Sequence, residues 1–343
     1  MDKSEYVELA VERVRAVLAD HHAVVHSELE SRIAEANWAG SAGNVDPHHI
    51  TTALQQLKRD EEIVWEEGRA TRGRRQIATI QPVDRRRRAT KIDRSAARKR
   101  LLYSRYQGWA QGTKRYPQGL IGPAGETAVR LAVIESGALQ PAVPGAGEAS
   151  TLLGVQLSGP VDSAGFMVPL KNGLPMSPVT VLIEVKNIRG WIYPNSVELY
   201  QLLGKASRLQ NSRPDQLILP ILVCRKTHPT TYWMAKQLGF FVIETGRQFA
   251  GDVDEDALLE VRNELHFNDL FKGANPSVRV RERLSKTIPK YASAAAEQWR
   301  ETSAELEATF SSLGRKRLSN STRRIMTNRL REQSAELGHP GGW

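Results

Sequence analysis

Residues Val179–Asn187 read Val-Thr-Val-Leu-Ile-Glu-Val-Lys-Asn, and this stretch determines how the rest of the chain is interpreted. Five consecutive residues favour a β-strand, and Glu184 and Lys186 then interrupt the apolar run. Because successive side chains of a strand point to opposite faces, these two charged groups share one face. Charged groups at the inner end of an apolar strand cost free energy unless a neighbouring group uses them. The pattern therefore predicts a buried strand that ends in a functional site.

A second carboxylate lies upstream of this strand. Asp162 follows a Gly-Pro-Val turn and precedes another strand-like run, Gly165–Leu170. Carboxylates are the hard oxygen ligands that hold Mg²⁺, and a neighbouring lysine can orient or polarise an attacking water. Together with Glu184 and Lys186, Asp162 predicts a site for a metal ion and a water molecule.

The motif resembles that of the PD-(D/E)xK nuclease superfamily, which has the restriction-endonuclease-like fold. The resemblance covers roughly residues 120–246 and is carried by Glu126, Asp162, Glu184 and Lys186. In this chain one additional residue, Val161, separates the proline of the family's Pro-Asp pair from the aspartate. The resemblance implies an α/β core with a mixed central sheet flanked by helices. It also implies hydrolysis of DNA phosphodiester bonds with Mg²⁺, or alternatively Mn²⁺, as cofactor.

Further site residues are assigned around this motif. By resemblance, Glu126 assists the metal ion or recruits a second one, and Gln201 lies near the attacking water. Asn187 and Arg189 follow the strand and are placed to bind phosphate. The alternative interpretation treats Glu184 and Lys186 as an ion pair across the strand end, supported by a partner on a neighbouring helix.

The order of secondary structure around the motif agrees with the resemblance. Apolar periodicity and turn residues predict alternating helices and strands, which is typical of a layered α/β domain. The predicted elements are a helix at Gly122–Gly137, strands at Thr151–Leu157, Gly165–Leu170 and Val179–Lys186, a helix at Ser196–Leu209, a strand at Leu217–Cys224, a helix at Pro229–Leu238 and a strand at Phe240–Glu244.

Residues 1–82 are predicted to form a winged helix-turn-helix. The pattern gives three helices followed by a two-stranded hairpin, with a capping box at Ser27–Glu30 and a cap at Asp46–Pro47. Such a domain binds DNA through its third helix and its wing. The wing arginines are Arg69, Arg72, Arg74 and Arg75. The body of the domain is acidic, so a protein-docking module is the alternative.

The positive charge of the chain, +10 overall, is concentrated in one region. Residues 69–119 contain 16 Lys or Arg and only 2 Asp or Glu. We interpret residues 83–119 as a basic linker that follows the phosphate backbone of DNA, beginning with Arg85, Arg86, Arg87 and Arg88. The alternative is a flexible, solvated run of charges.

The chain is thus divided into four segments: 1–82, 83–119, the nuclease-like domain 120–275 and a helical region 276–343. Within the third segment, residues 252–272 are predicted to form an acidic helix. The last segment is interrupted at residues 314–317 and serves self-association or DNA contact, or is a loosely packed tail.

The predicted function is that of a metal-dependent DNA endonuclease in defence, restriction or recombination. The alternatives are a non-cleaving DNA-binding regulator and a structure-specific or RNA nuclease. A homodimer is expected because cutting both strands with one site per chain takes two chains or two visits. The chain contains no apolar run of the roughly 20 residues needed to span a membrane, and its single Cys224 fits a reducing cytoplasm.

Overall fold

The computed structural model describes residues 2–36, 38, 45–68, 76–315 and 317–336. The fold is a mixed α/β architecture with a mixed central sheet. The helices of the described residues are, in chain order, α1 (Lys3–His21), α2 (His26–Ala34), α3 (Pro47–Arg59), α4 (Ala89–Gln111), α5 (Ile121–Ser136), α6 (Val197–Ser212), α7 (Pro229–Leu238), α8 (Glu255–Leu265), α9 (Val278–Glu282), α10 (Ile288–Leu313) and α11 (Asn320–Glu336).

The strands are numbered in the same way. They are β1 (Ile63–Glu67), β2 (Ala78–Pro82), β3 (Gln140–Pro141), β4 (Ala149–Leu152), β5 (Val155–Val161), β6 (Ser163–Met167), β7 (Leu170–Lys171), β8 (Leu174–Pro175), β9 (Val179–Lys186), β10 (Leu217–Cys224), β11 (Phe241–Glu244), β12 (Gln248–Phe249) and β13 (Leu270–Phe271).

The chain folds into two compact units. The first unit contains residues 1–120 and 252–272, and the second contains residues 121–251 and 273–343. This grouping differs from the predicted segments in two respects. The acidic helix α8 belongs to the first unit rather than to the nuclease-like domain, and the C-terminal helices belong to the unit that contains the large sheet.

The first unit begins with α1, α2 and α3, followed by the antiparallel hairpin of β1 and β2. Val24 forms an isolated antiparallel bridge to Ile80, which fixes the hairpin to the segment between the first two helices. The predicted cap at Asp46 and Pro47 is confirmed as the start of α3. The cap predicted at Ser27 is wrong, because Val25, two residues earlier, is the N-cap of α2, which begins at His26.

The basic segment that follows the hairpin is a helix over much of its length. In α4, Ile92 and Leu102 are fully buried, and Lys99 is only 3% exposed. The Lys99 ammonium lies 2.7 Å from Oε1 of Glu28, which is itself buried in α2. Arg105 also forms an ion pair, at 2.6 Å, with Glu260 of α8. The alternative of a flexible, solvated charge run is therefore wrong for this helix.

The second unit is built on a five-stranded sheet in the order β11-β10-β9-β6-β3. Strands β9, β10 and β11 are parallel, whereas β6 runs antiparallel to β9 and β3 antiparallel to β6. Every residue of β9 except Lys186 is buried. This burial on both faces explains the near-continuous apolar run of its sequence, as in β10.

The two faces of the sheet have separate cores. On one face Leu182 and Leu222 pack with Tyr200 of α6 and with Trp299 and Phe310 of α10. The other face is covered by α5, α9 and the start of α10 through residues that include Val129, Val133, Val280, Leu284 and Ala292. The C-terminal helix α10 is therefore part of the core, which excludes the loosely packed tail for this helix.

Several element boundaries differ from the prediction. The predicted strand Thr151–Leu157 is a hairpin of β4 and β5, because the chain reverses at Leu153 and Gly154, both of which have positive φ. The predicted strand at Gly165–Leu170 ends at Met167. Strand β10 and helix α7 have the predicted bounds. Among the described residues, no helix is both long enough and apolar enough to cross a membrane.

Candidate functional site

Strand β9 places two charged groups at the end of the buried sheet. Glu184 is 4% exposed and shares a face with Lys186, whose Nζ lies 2.7 Å from Oε1 of Glu184. The strand is flanked by β10 on one side and β6 on the other, so the carboxylate cannot reach bulk water along the sheet. A buried carboxylate in this position needs cationic partners.

Asp162 is positioned by the pairing of β6 with β9. Ser163 lies opposite Ile183 in this antiparallel pair, so Asp162 falls beside Glu184 at the same end of the sheet. Oδ2 of Asp162 accepts a hydrogen bond from the backbone N–H of Val185 at 2.6 Å. The register of two neighbouring strands thus brings together carboxylates that are 22 residues apart in the chain.

The surroundings of Asp162 disfavour its ionised form. Burial raises the pKa of Asp162 to about 6, and the nearby carboxylates of Glu184 and Glu126 also raise it. The N–H of Val185 and the ammonium of Lys186 act in the opposite direction. Carboxylates that repel one another in a partly dry site favour a bound cation, because a cation removes the repulsion.

Glu126 is held on α5 by an arginine. Its carboxylate lies 3.5 Å from Arg130, which also lies 3.5 Å from Glu148 and donates a hydrogen bond from Nε to the backbone oxygen of Asp162. Its side chain is 28% exposed. Arg130 therefore connects the helix that carries Glu126 to the turn that carries Asp162.

Lys205 is a site residue that sequence reasoning did not identify. Its Nζ lies 2.9 Å from Oε2 of Glu184 and donates a hydrogen bond at 2.6 Å to the backbone oxygen of Pro160. Lys205 belongs to α6, and its side chain is only 13% exposed. The available signal was a single lysine between the buried Leu203 and Ala206, on the inward side of an amphipathic helix.

We call Glu126, Asp162, Glu184, Lys186 and Lys205 the carboxylate site. Both oxygens of Glu184 contact an ammonium group, one from β9 and one from α6. These contacts match the ion pair with a helical partner that the sequence left open as an alternative. A divalent cation at Glu184 would share these oxygen atoms with the two ammonium groups, because each carboxylate oxygen has two lone pairs.

The donor atoms of the site suit a hard divalent cation. The three carboxylates Glu126, Asp162 and Glu184 are oxygen donors of the kind that hold Mg²⁺ or Mn²⁺. In the described part of the chain, they do not form a group whose ligand atoms all lie within 4.8 Å of one another. Binding of an ion by all three would require the side chains to move closer together.

The prediction that Asn187 binds phosphate is wrong. Asn187 is 8% exposed, and its amide forms three hydrogen bonds within the second unit. Nδ2 donates to the backbone oxygens of Ile121 (2.6 Å) and Phe249 (2.8 Å), and Oδ1 accepts from the backbone N–H of Phe249 (3.1 Å). The side chain thus links the start of α5 to β12 and is not available to a ligand.

We expect Gly125→Ala to destabilise the protein by about 3 kcal/mol, because a Cβ at Gly125 would lie 2.3 Å from Cβ of Asn187 and force this side chain out of its hydrogen bonds. Denaturant unfolding measures the loss. Gly122→Ala is the matched control on the same helix, since nothing lies within 4 Å of its added methyl group. Equal stability of the two variants would contradict the assigned role of Asn187.

Arg189 is also not presented to a ligand as predicted. The residue is buried, with 8% of its surface exposed, and its backbone oxygen accepts a hydrogen bond from the guanidinium of Arg225.

Gln201 is partly buried on α6, one turn before Lys205, so it faces the same side of the helix. The position of Gln201 is compatible with its predicted place near the site.

The predicted DNA-contacting arginines fall into two groups. Arg69, Arg72, Arg74 and Arg75 lie outside the described residues. In the second group, Arg85 forms an ion pair with Asp93 of α4, and the three arginines that follow it are exposed.

Comparison with known protein families, with curated proteins and with solved structures finds no match to this chain.

Proposed function

We propose that the protein is a Mg²⁺-dependent endonuclease that hydrolyses DNA phosphodiester bonds with the carboxylate site. The observation that carries this proposal is the position of Asp162 beside Glu184 and Lys186, at one end of a sheet, with Glu126 close enough to raise the pKa of Asp162. We further propose that the second unit is a restriction-endonuclease-like core.

Each residue of the site has a definite role in this proposal. Asp162, Glu184 and Glu126 would supply the oxygen atoms that hold the metal ion, and a bound Mg²⁺ would supply charge neutralisation at the phosphate and a more acidic water. Lys186 orients the attacking water or stabilises the charge that develops on the phosphate. Lys205 holds the Glu184 carboxylate in position from the neighbouring helix.

The first unit supports a nucleic-acid partner. We propose that it is a winged helix-turn-helix, which its order of three helices and a hairpin and the bridge between Val24 and Ile80 support. The exposed residues Arg86–Arg88 provide positive charge for phosphate contact. We propose DNA as the partner of this unit, and a homodimer as the form that cuts both strands.

A second candidate function is favoured by one observation. The two ammonium groups on Glu184 already neutralise this carboxylate, which is what a non-cleaving DNA-binding regulator would need at the same position. In this alternative the carboxylate site is an ion-pair network that stabilises the sheet. The two functions differ in whether Mg²⁺ binds and whether DNA is cut.

The test is incubation of the purified protein with supercoiled plasmid and Mg²⁺, beside Asp162→Ala and Lys186→Ala. We expect the parent protein to produce nicked or linear DNA. With either variant the rate of cleavage should fall by roughly a hundredfold or more, because each variant loses a group that acts in the transition state. EDTA should abolish the activity. Asp215→Ala removes an exposed carboxylate elsewhere on the same unit and serves as the control that retains full activity.

The outcome separates the two candidate functions. A gel shift of plasmid DNA without cleavage, unchanged by Asp162→Ala, would support the regulator and contradict the endonuclease. Equal cleavage by parent and both variants would show that the carboxylate site does not perform the reaction.

A further inference from the structure

A second feature of the sheet-containing unit is a cleft at the edge strand β11, with a volume of about 770 Å³. Helix α7 forms one wall. The other wall is formed by α9, by the π-helical turn Arg283–Thr287 that follows it and by the start of α10. We call this feature the edge cleft. Its volume is in the range of sites that hold small molecules or a segment of a polymer.

Cationic side chains line the edge cleft from both walls. Arg279, Arg283 and Lys286 follow one another at intervals of four and three residues, which places them on one side of the helical segment. Lys236 of α7 faces them from the opposite wall. All four residues are exposed. The cleft therefore presents a concentrated positive potential to solvent.

The acidic residues that line the cleft, Glu244 and Glu282, offset only part of the charge of its four cations. Oε1 of Glu244 accepts a hydrogen bond from the backbone N–H of Thr227 at 2.6 Å, and Glu282 pairs with Lys286 at 3.3 Å. The guanidinium groups of Arg279 and Arg283 form no ion pair within the part of the chain that the structure describes. Two bidentate donors suited to phosphate therefore remain for a ligand.

The backbone around the two arginines is irregular in a way that positions them. The π-helical turn begins at Arg283, and its buried Leu284 anchors it to the core. The guanidinium of Arg279 lies against Gly246, where an added Cβ would be only 2.4 Å from Nη1. Gly246 also has a φ of +62°, so glycine both permits the turn and leaves space for the arginine.

Aromatic rings lie beside these cations. Tyr232 of α7 and Tyr291 of α10 line the cleft and are 37% and 40% exposed. Exposed tyrosine faces beside arginines form the combination on which nucleic-acid bases stack while their phosphates are bound. A ligand that carries only phosphate would leave the rings unused, whereas a nucleotide uses both kinds of group.

The edge cleft runs along β11, and one end of it lies at the same end of the sheet as the carboxylate site. Lys186 pairs with Cys224 and Cys224 with Glu244, so these three residues form one row across β9, β10 and β11. Two strand spacings, about 10 Å, separate the ends of that row. The cleft is nevertheless formed by a different set of side chains.

We propose that the edge cleft binds a nucleotide, with the phosphate on Arg279 and Arg283 and the base stacked on Tyr232. The nucleotide is either one unit of a single strand of nucleic acid or a free nucleoside phosphate. Binding at the cleft does not require that the carboxylate site cuts DNA.

The test measures binding by the full-length protein in EDTA, so that metal-dependent chemistry does not contribute. The probes are a short fluorescein-labelled oligothymidylate, followed by fluorescence anisotropy, and ATP, followed by calorimetry. We expect Arg279→Ala/Arg283→Ala to weaken binding of the preferred probe by about tenfold or more. Arg208→Ala/Arg324→Ala removes the same charge from exposed positions outside the cleft and should change the affinity about threefold at most.

A third pair of variants tests the stacking. Tyr232→Phe should keep the affinity and Tyr232→Leu should reduce it, because only the former retains an aromatic face. Preference for the oligothymidylate assigns the cleft to a strand, and preference for ATP assigns it to a free nucleotide. If neither probe binds, or if the cleft and control double variants lose affinity equally, the proposal is overturned.

Discussion

Asp162→Asn should abolish DNA cleavage and at the same time stabilise the folded protein when no metal is present. Asparagine keeps an oxygen that accepts the hydrogen bond from the Val185 N–H, but it removes the negative charge that burial, Glu184 and Glu126 disfavour. A group that is retained at a cost in stability is the signature of a functional site rather than of a structural ion pair. We expect a gain of about 1–3 kcal/mol at pH 8.

The pH dependence of this gain follows from the pKa of Asp162. Its pKa is raised from 3.8 to about 6 on folding, so the folded protein binds the proton more tightly than the unfolded chain. The contribution of Asp162 to the free energy of unfolding therefore falls as the pH rises from about 4 to about 6 and is constant above that. The advantage of Asp162→Asn should be complete at pH 8 and absent below pH 4.

Denaturant unfolding in EDTA at the two pH values measures the effect. Asp215→Asn is the matched control, because Asp215 is exposed and its substitution should change the stability little at either pH. Added Mg²⁺ should stabilise the parent protein and not Asp162→Asn. A loss of stability in Asp162→Asn at pH 8 would mean that the carboxylate is a structural group, in agreement with the regulator.

Lys99→Ala should destabilise the first unit by about 3–5 kcal/mol, because it leaves the carboxylate of Glu28 buried with Arg32 as its one remaining ionic partner among the described residues. Burial already raises the pKa of Glu28, and Lys99 and then Arg32 oppose that shift. Without Lys99 the pKa of Glu28 should rise further. The variant should therefore regain stability as the pH falls, since a protonated Glu28 is no longer an uncompensated charge.

Thermal or denaturant unfolding near pH 8 and pH 5 checks this expectation. Lys91→Ala is the control on the same helix, because Lys91 is exposed and its loss removes the same charge. The double variant Glu28→Gln/Lys99→Met should recover part of the loss, since it removes both charges from the buried pair. Equal stability of Lys99→Ala and Lys91→Ala would instead support the alternative of a solvated run of charges for α4.

Local sequence patterns determined the secondary structure closely where they were strong. The apolar runs of β9 and β10 and the proline at the start of α7 gave the observed bounds of these elements to within one residue. The same patterns placed Glu184 and Lys186 on one face, as observed. These predictions succeed because strand alternation and helix initiation depend on residues that are neighbours in the chain.

The partners of polar groups followed from the tertiary structure alone. Asn187 and Arg189 were predicted to bind phosphate because they follow the strand, but both are buried, and the Asn187 side chain forms hydrogen bonds to Ile121 and Phe249. Lys99 is buried where its ammonium donates a hydrogen bond to the carboxylate of Glu28, 71 residues earlier in the chain. A charge run in a sequence gives no indication of which of its members will be desolvated.

The pattern of residues along the chain was enough to locate the charged end of the central strand and to name the residue types that could perform chemistry there. The packing in three dimensions added that Lys205 completes the site, that α8 belongs with the first unit and that Glu184 is held by two ammonium groups. The physical reason is that desolvation and Coulomb energy depend on distances in space. Residues 21 positions apart, such as Glu184 and Lys205, acquire such a distance only when the helix packs against the sheet.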